Sequence, residues 1–244
     1  MATLFVSDLH LSASRPAQLE RFLVFLACAR ARAQALYILG DLFEVWLGDD
    51  DDTPPHAEVI AALAALTEAG VALHVGHGNR DFLFGPRFAA ATGARLLDDY
   101  ARIDLYGVPT LLTHGDLLCT RDVKYQRFRR VVRHPLTRRG FLATPLAWRQ
   151  RIAQRTRAGT VASTARKAAA VMDVEESSVA QVMAEQDVRL LIHGHTHRPA
   201  IHDYPDGRRR IVLGDWYEQD HLLAYDHDGP RVLRVADYLA GGAP

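Results

Sequence analysis

Three histidines, His193, His195 and His197, alternate over five residues in the last quarter of the chain. They follow the apolar segment 188–192, whose length and aliphatic composition predict a buried strand. In open α/β sheets, ligands bind beyond the carboxyl ends of strands, and imidazole is a common metal ligand near neutral pH. A single His would be read as part of a polar turn. Three at this spacing predict a metal site.

Four further predicted strands, at residues 2–6, 36–39, 71–75 and 109–113, also end in side chains that could bind a metal or a phosphate. In chain order these side chains are Asp8 and His10, Asp41, Asn79 and Arg80, and His114. Each alone has an ordinary explanation, such as a capping role for Asp41. Together they predict one cluster of imidazole, carboxylate and amide ligands, which suits Mn²⁺, Fe²⁺ or Zn²⁺. Two such metals about 4 Å apart can clamp a phosphoryl group and activate water, so phosphate-ester or anhydride hydrolysis is the predicted chemistry.

The elements that must position these residues are predicted to alternate between strands and helices. Helices are expected from Pro16 and over residues 56–69 and 175–186. Segments 95–106 and 109–113 are expected to form a hairpin. The strands 200–204, 210–213, 222–226 and 231–235 are expected to complete a mainly antiparallel half. The acidic run 49–52 is predicted to be a solvated loop. His74 is predicted to be structural, and Asp116 could either orient an imidazole or cap a helix.

Size and composition limit the class of protein. The 244 residues allow one large domain or two small ones, and 48% hydrophobic content excludes a disordered chain. Cys28 and Cys119 lie far apart, so neither a thiolate zinc site nor a disulfide framework is expected, and a reducing cytoplasm is the default location. Neither a signal peptide nor a transmembrane helix is predicted.

A basic segment breaks the rhythm of strands and helices. The formal net charge is zero, yet residues 121–167 contain fourteen Lys or Arg and one acid, Asp122. This asymmetry predicts an anionic partner. We interpret 121–167 as a basic amphipathic helical cap inserted between core segments 1–120 and 168–244. Its apolar side chains could either pack on the core or contact an anionic membrane surface; they are Phe128, Val131, Val132, Leu136, Phe141, Leu142, Leu146, Trp148 and Ile152.

The motifs DLH, GDLFE, GNRD, HGD and GHTHRP resemble the five motifs of the calcineurin-like metallophosphoesterases, over about residues 3–216. The resemblance implies an α/β fold, a β-sandwich of two mixed sheets flanked by helices (α/β/β/α), with a dinuclear metal centre. One metal would be held by Asp8, His10, Asp41 and His197. The other would be held by Asp41, Asn79, His114 and His195, with Asp41 bridging the two. His193 has no ligand role in this pattern.

One departure points to a particular branch, because Arg80 stands where many members of the superfamily have His. The segments GNRDF, GDLFEVWLGDD, VMDV and LIHGHTHRPA, with the basic cap, are similar to the UDP-2,3-diacylglucosamine pyrophosphohydrolases of lipid A synthesis. That similarity implies attack by water at the α-phosphorus, giving UMP and 2,3-diacylglucosamine 1-phosphate. It also implies Mn²⁺ as the metal and a cytoplasmic enzyme peripheral to the inner membrane.

The branch also implies roles for particular side chains. The catalytic set would be Asp41, Asn79, Arg80, His114 and His195. Substrate contacts in the cap would fall on Asp122, Thr160, Thr164 and Lys167, with Asn79, Arg80 and His195 beneath. Thr160 and Thr164 stand where the branch usually has Ser and Asn, and both keep a hydroxyl group that can form hydrogen bonds.

Two other functions stay open at this level. A metallophosphoesterase of this type could act on another nucleotide, a phosphoprotein or nucleic acid, since a basic cap suits a phosphate backbone. The apolar residues of the cap favour a lipid, so no nucleic acid is expected. A non-catalytic scaffold is also conceivable, although it has no physical need for seven metal ligands. The oligomeric state is not predicted.

Overall fold

The computed structural model describes residues 1–164 and 173–241, without the side chains of residues 157–164. Its first sheet has six strands in the spatial order β11 (Gly229–Arg234), β10 (His221–Asp226), β1 (Ala2–Val6), β2 (Ala33–Ile38), β3 (Ala72–Val75) and β4 (Arg95–Leu96). The strands β1 to β4 are parallel, and β10 runs antiparallel to β1. Val6 pairs with Ile38, and Ile38 pairs with Val75, so three loops leave the sheet at the same edge.

The second sheet has five strands in the order β5 (Ala101–Leu105), β6 (Val108–Thr113), β7 (Leu190–His193), β9 (Arg209–Val212) and β8 (Ala200–Asp203). Strands β6, β7 and β9 are parallel, and the two outer pairs are antiparallel. Thr113 pairs with His193, which pairs with Val212. The loops after these three strands therefore also begin side by side.

The two sheets pack face to face, with helices on the outer faces. On β1, Leu4 and Val6 pack toward the helices, whereas Phe5 joins the cluster between the sheets, as the alternation of side chains along a strand requires. Helices α1 (Pro16–Arg32), α2 (His56–Glu68), α3 (Pro86–Thr92) and α8 (Val235–Leu239) cover the first sheet. Helix α7 (Glu176–Glu185) covers the second. This confirms the predicted sandwich of two mixed sheets flanked by helices.

Two predictions about the strands were correct only in part. The predicted hairpin is present as β5 and β6, but its first arm begins at Ala101. Arg95–Leu96 forms β4 of the first sheet, and the chain then crosses to β5 of the second. Residues 98–100 interrupt the pairing, and Leu97 packs between the sheets. The four C-terminal strands form two antiparallel hairpins, β8–β9 and β10–β11, as predicted, but the hairpins join different sheets and do not build one half. Strands β7 and β9 are parallel, and the last hairpin extends the first sheet beside β1.

The basic segment contains three helices, α4 (Val123–Val132), α5 (Pro135–Leu142) and α6 (Leu146–Thr164). Pro135 begins α5, and Pro145 immediately precedes α6, so the prolines divide the segment as their fixed φ predicts. The exact limits of the cap, 121–167, stay a prediction. Within the described residues, no helix is long and apolar enough to cross a membrane.

The acidic run 49–52 is a loop, but only two of its four aspartates are solvated. The Asp49 carboxylate accepts hydrogen bonds from backbone N–H groups at the start of α3, including that of Gly85 at 2.9 Å. Asp50 forms an ion pair with Arg149 of α6, and Asp51 is buried. Asp50 and Asp52 are both exposed. These contacts join residues far apart in the chain, which local composition does not reveal.

Candidate dinuclear metal centre

The predicted metal ligands occupy loops whose backbone is strained. Asp8, His10, Asp41, His195 and His197 all have positive φ, between 47° and 69°. Non-glycine residues in this left-handed region cost about 1–2 kcal/mol each, and such strain is concentrated at functional sites. Here the sharp turn after each strand aims the next side chain back across the sheet edge, toward the side chains of the neighbouring loops.

Asp8, His10 and His197 form one group of converging ligand atoms. Nε2 of His197 lies 3.2 Å from Oδ1 of Asp8, and Nε2 of His10 lies 4.0 Å from the same oxygen. Burial alone would raise the pKa of Asp8. The close contact with the His197 imidazole and the charges of nearby histidines outweigh burial and hold this pKa well below its ordinary value. The carboxylate is therefore ionised and available as a ligand at neutral pH.

Asn79, His114 and His195 converge on a second point beside Asp41. Oδ1 of Asn79 lies 3.2 Å from Nε2 of His114 and 3.1 Å from Nδ1 of His195, and these two ring nitrogens are 3.1 Å apart. Burial, followed by the charge of His114, lowers the pKa of His195 to about 4. A neutral imidazole keeps a nitrogen lone pair, which a metal ligand requires.

Asp41 lies between the two groups. Its Oδ2 is 3.7 Å from Nε2 of His10 and 3.9 Å from Nε2 of His114. Burial raises the pKa of Asp41 to about 6, with His114 opposing and Asp8 reinforcing the shift. Two buried carboxylates this close repel each other, and a cation between them would remove the repulsion.

The donor set fits a pair of divalent cations. Oδ1 of Asp8 and Nδ1 of His10 are buried without a hydrogen-bond partner among the described residues. Leaving such atoms unpaired costs free energy, so a ligand for the Asp8 oxygen is expected. Asp8, Asp41 and His114 form a second group, in which one ligand atom from each side chain lies within 4.8 Å of the others. The residues present therefore match the mixed carboxylate, imidazole and amide chemistry of a dinuclear site.

Asp81 fixes the loops that carry Asp41 and Asn79. Its buried carboxylate accepts hydrogen bonds from the backbone N–H groups of Leu42 at 2.6 Å and Gly78 at 2.9 Å, and also from those of Asp41 and Phe43. A Cβ at Gly78 would lie 2.0 Å from Oδ1 of Asp41, so the close approach of the two loops requires glycine.

The remaining candidates separate into three groups. His193 is buried and its Nδ1–H donates to the carbonyl of Gly194, in agreement with a structural role; burial lowers its pKa to about 3. His74 stacks on Tyr37 with 4.4 Å between ring centroids, also as predicted. Asp116 opens a 3₁₀ turn and accepts hydrogen bonds from Tyr125 and Arg129, so its partners are residues of α4.

The predicted substrate contacts are placed only in part. The Arg80 backbone N–H donates to Oδ1 of Asp41 at 2.8 Å, and its side-chain Nε is buried without a hydrogen-bond partner in the described part of the chain. Asp122 caps α4 by accepting from the backbone N–H of Tyr125. Lys167 and the Val171–Met172 half of the VMDV motif lie outside the described residues, as do the side chains of Thr160 and Thr164.

Sequence reasoning missed several residues at the centre. Asp81 was visible as the last letter of GNRD. Tyr217 hydrogen-bonds Nδ1 of His197 at 3.1 Å through its hydroxyl group, and Glu44 lies 3.7 Å from Nδ1 of His10. Glu44 belongs to the GDLFE motif, so its place near the metal centre could have been predicted from that motif. Tyr217 follows a different strand, and its proximity appears only in the folded chain.

A family model for calcineurin-like phosphoesterases matches residues 1–199. Among solved structures, an archaeal phosphodiesterase superposes with a TM-score of 0.52 at 14% identity, covering 96% of this chain and 99% of that one. This likeness shows the fold. The sandwich, the strand-end ligands and the family match together define a calcineurin-like metallophosphoesterase.

Curated relatives show which branch of the metallophosphoesterases this chain resembles. A protein of Aeromonas hydrophila is 52% identical, and the match covers 91% of this chain and 94% of that protein. A protein of Sodalis glossinidius is 49% identical, with 99% of this chain and 100% of that protein covered. A protein of Serratia proteamaculans is 48% identical, with 96% of this chain and 99% of that protein covered. All three carry the name UDP-2,3-diacylglucosamine hydrolase. The chain belongs to this family of hydrolases.

Proposed function

We propose that this chain hydrolyses the pyrophosphate bond of UDP-2,3-diacylglucosamine in lipid A synthesis. Water attacks the α-phosphorus, and the products are UMP and 2,3-diacylglucosamine 1-phosphate. The observation that carries the proposal is the convergence of carboxylate, imidazole and amide ligands beside a basic cap that exposes apolar side chains. The substrate is the one that the names of its relatives give.

Seven side chains would hold two divalent cations. Asp8, His10 and His197 would bind the first, Asn79, His114 and His195 the second, and Asp41 would bind both. The set combines carboxylates with imidazoles and includes no thiolate, which suits Mn²⁺, Fe²⁺ or Zn²⁺. Mn²⁺ is the proposed metal because the similarity to the UDP-2,3-diacylglucosamine pyrophosphohydrolases implies it. When bound, the cations stabilise charge on the phosphoryl oxygens and activate water.

The chain's own residues then orient the phosphoanhydride. The Arg80 guanidinium binds a phosphoryl oxygen, for which its fork of N–H donors is suited. Its position is set by the hydrogen bond from its own backbone N–H to Asp41. Asn79 and His195 contact the same phosphoryl group from below. In the cap, Asp122, Thr160, Thr164 and Lys167 would contact the sugar and phosphate portions of the substrate.

Product analysis tests this function. Purified protein is incubated with UDP-2,3-diacylglucosamine, with Mn²⁺ or with a chelator, and UMP is measured. We expect UMP release with Mn²⁺ and background release with chelator, because protein ligands alone do not activate water. The deacylated substrate serves as the matched control and should turn over poorly. Equal turnover of both substrates, or an inert lipid substrate beside an active generic phosphodiester, would contradict the lipid assignment.

The cap also offers a surface that suits an anionic membrane. Leu136 is 74% exposed, Trp148 is 62% exposed and Val131 is 61% exposed. Exposed arginines accompany them at positions 127, 130, 139, 151 and 155. Basic helices with apolar residues bind at the interface of anionic bilayers, so peripheral attachment to the cytoplasmic face of the inner membrane is part of the proposal.

Vesicle binding should weaken when Leu136 and Trp148 are both replaced by Ser. Burying each side chain contributes about 1.5 kcal/mol or more, so the double variant should lose roughly a hundredfold in affinity for anionic vesicles. Co-sedimentation measures this. Ile201, 42% exposed on β8, is the matched control, and Ile201→Ser should bind normally. Unchanged binding by the double variant would reject the insertion of these side chains.

A further inference from the structure

One aromatic side chain at the metal centre is held firmly and is still open to solvent. Tyr217 is 40% exposed, and its ring lies edge-on to the rings of His197 and His10, with centroids 5.8 and 6.0 Å away. Its hydroxyl group hydrogen-bonds Nδ1 of His197 at 3.1 Å. The Arg15 guanidinium lies 4.8 Å from the centre of the ring. Neither Tyr217 nor Arg15 has a role in the proposed hydrolysis.

The loop that carries Tyr217 is rigid. The buried carboxylate of Asp215 accepts hydrogen bonds from the backbone N–H groups of Tyr217, Glu218 and Gln219, at 3.0, 2.7 and 3.2 Å. The Gln219 side chain donates to the carbonyl of His197 at 2.8 Å. The ring is therefore preorganised, so a ligand that stacks on it would lose little free energy in ordering the protein.

The position of Tyr217 separates it from the start of the cap. In the second sheet, β7 lies between β6 and β9. The chain leaves β6 through His114 and Asp116 into α4, whereas Tyr217 follows β9. The Tyr125 ring of α4 stacks on the ring of His195, and the Tyr125 hydroxyl group donates a hydrogen bond to the Asp116 carboxylate. Tyr217 instead stands beside His10 and His197, across the centre from α4.

We infer that Tyr217 and Arg15 form the subsite for the uridine portion of the substrate. This inference rests on the proposed function, which places a phosphoanhydride across the two groups of ligands. The acylated sugar of the substrate extends toward the apolar side chains of the cap, so the nucleoside of the substrate lies on the opposite side of the metal centre. A flat pyrimidine stacks on an exposed tyrosine ring, and the Arg15 guanidinium donates hydrogen bonds to the carbonyl oxygens of uracil or to the adjoining phosphate.

Two substitutions at Tyr217 separate stacking from support of His197. Tyr217→Ala removes the ring, whereas Tyr217→Phe keeps the ring and removes only the hydroxyl group. Binding of UMP and of 2,3-diacylglucosamine 1-phosphate to the Mn²⁺-loaded protein is measured by calorimetry, and bound metal is measured in parallel. Tyr217→Ala should weaken UMP binding about tenfold, with the lipid product and metal content unchanged. Tyr217→Phe should bind UMP within about threefold of the unsubstituted protein.

Arg15→Ala should also weaken UMP binding, and Arg30→Ala is its control because it removes an equal charge from the last turn of α1. The subsite would be rejected if UMP binding were absent from the unsubstituted protein, or unchanged in Tyr217→Ala. It would also be rejected if the lipid product were weakened instead, or if metal were lost equally in both Tyr217 variants. Failure of the unsubstituted protein to hydrolyse the lipid substrate is a separate result that rejects the proposed function.

Discussion

Asp41→Asn is expected to lower kcat by roughly 10³-fold or more, since bridging two cations contributes several kcal/mol to the transition state. The carboxylate is placed between Nε2 of His10 and Nε2 of His114, at 3.7 and 3.9 Å. Asparagine keeps an oxygen that can accept the backbone N–H of Arg80, so the loop should keep its conformation. It removes the negative charge that the two proposed cations would share. UMP release from the lipid substrate, measured at saturating Mn²⁺, gives the change in kcat.

The same variant should have an opposite effect on the metal-free protein. Burial raises the pKa of Asp41 to about 6, so its ionised form is disfavoured in the fold. For a carboxyl group whose folded pKa is raised, the stability gained at low pH is lost as pH rises through about 4 to 6. At pH 7, therefore, metal-free Asp41→Asn should unfold at an equal or higher temperature than the unsubstituted protein. Its increase in Tm on adding Mn²⁺ should be much smaller.

Asp52→Asn is the matched control, because Asp52 is exposed in the neighbouring acidic loop. It should leave both kcat and the Mn²⁺ dependence of Tm unchanged. Retention of a tenth or more of the activity by Asp41→Asn would contradict a bridging role. A large loss of metal-free stability would show instead that Asp41 is a structural residue.

The ligand loops could be predicted from the sequence because each ligand lies within four residues of the end of a strand. Val6, Ile38 and Val75 are buried strand residues, and the local apolar runs identify them. Parallel strands in register then bring the following residues to the same edge, as the pairing of Val6 with Ile38 and of Ile38 with Val75 shows. Short-range pattern was therefore enough to predict which side chains would converge.

The features that sequence did not predict all depend on long-range contacts. The Asp50 carboxylate pairs with Arg149, and the carboxylate of Asp81 holds the loop of Asp41. Neither contact has a periodicity that a window of residues could detect. The crossing from β4 to β5 likewise depends on which sheet offers a free edge, and this is decided only when the whole chain is packed.

Asp116→Ala should lower the free energy of unfolding by about 3 kcal/mol, in the range for breaking a buried ion pair. Asp116 is 1% exposed, and it accepts a hydrogen bond from Tyr125 at 2.6 Å and another from Nε of Arg129 at 2.7 Å. Alanine would leave the buried Arg129 guanidinium and the Tyr125 hydroxyl group without this partner. The anchor of α4 on the core would be lost, so the cap should become more sensitive to proteolysis. Urea denaturation of the metal-free protein measures the change.

Asp99→Ala is the control that distinguishes burial from charge. Asp99 binds the same Arg129 at 2.9 Å, but its side chain is 42% exposed, so its removal should cost less than about 1 kcal/mol.

Burial alone would raise the pKa of Asp116, but the charges of His114 and Arg129 hold it well below its ordinary value. A depressed carboxyl pKa stabilises the fold above the unfolded pKa of about 4, and that contribution is lost as pH falls further. The stability difference between Asp116→Ala and the unsubstituted protein should therefore be constant from pH 7 to about pH 5 and shrink below about pH 4. A difference that is independent of pH, or equal in the Asp99 variant, would show that the buried charge of Asp116 does not hold the cap.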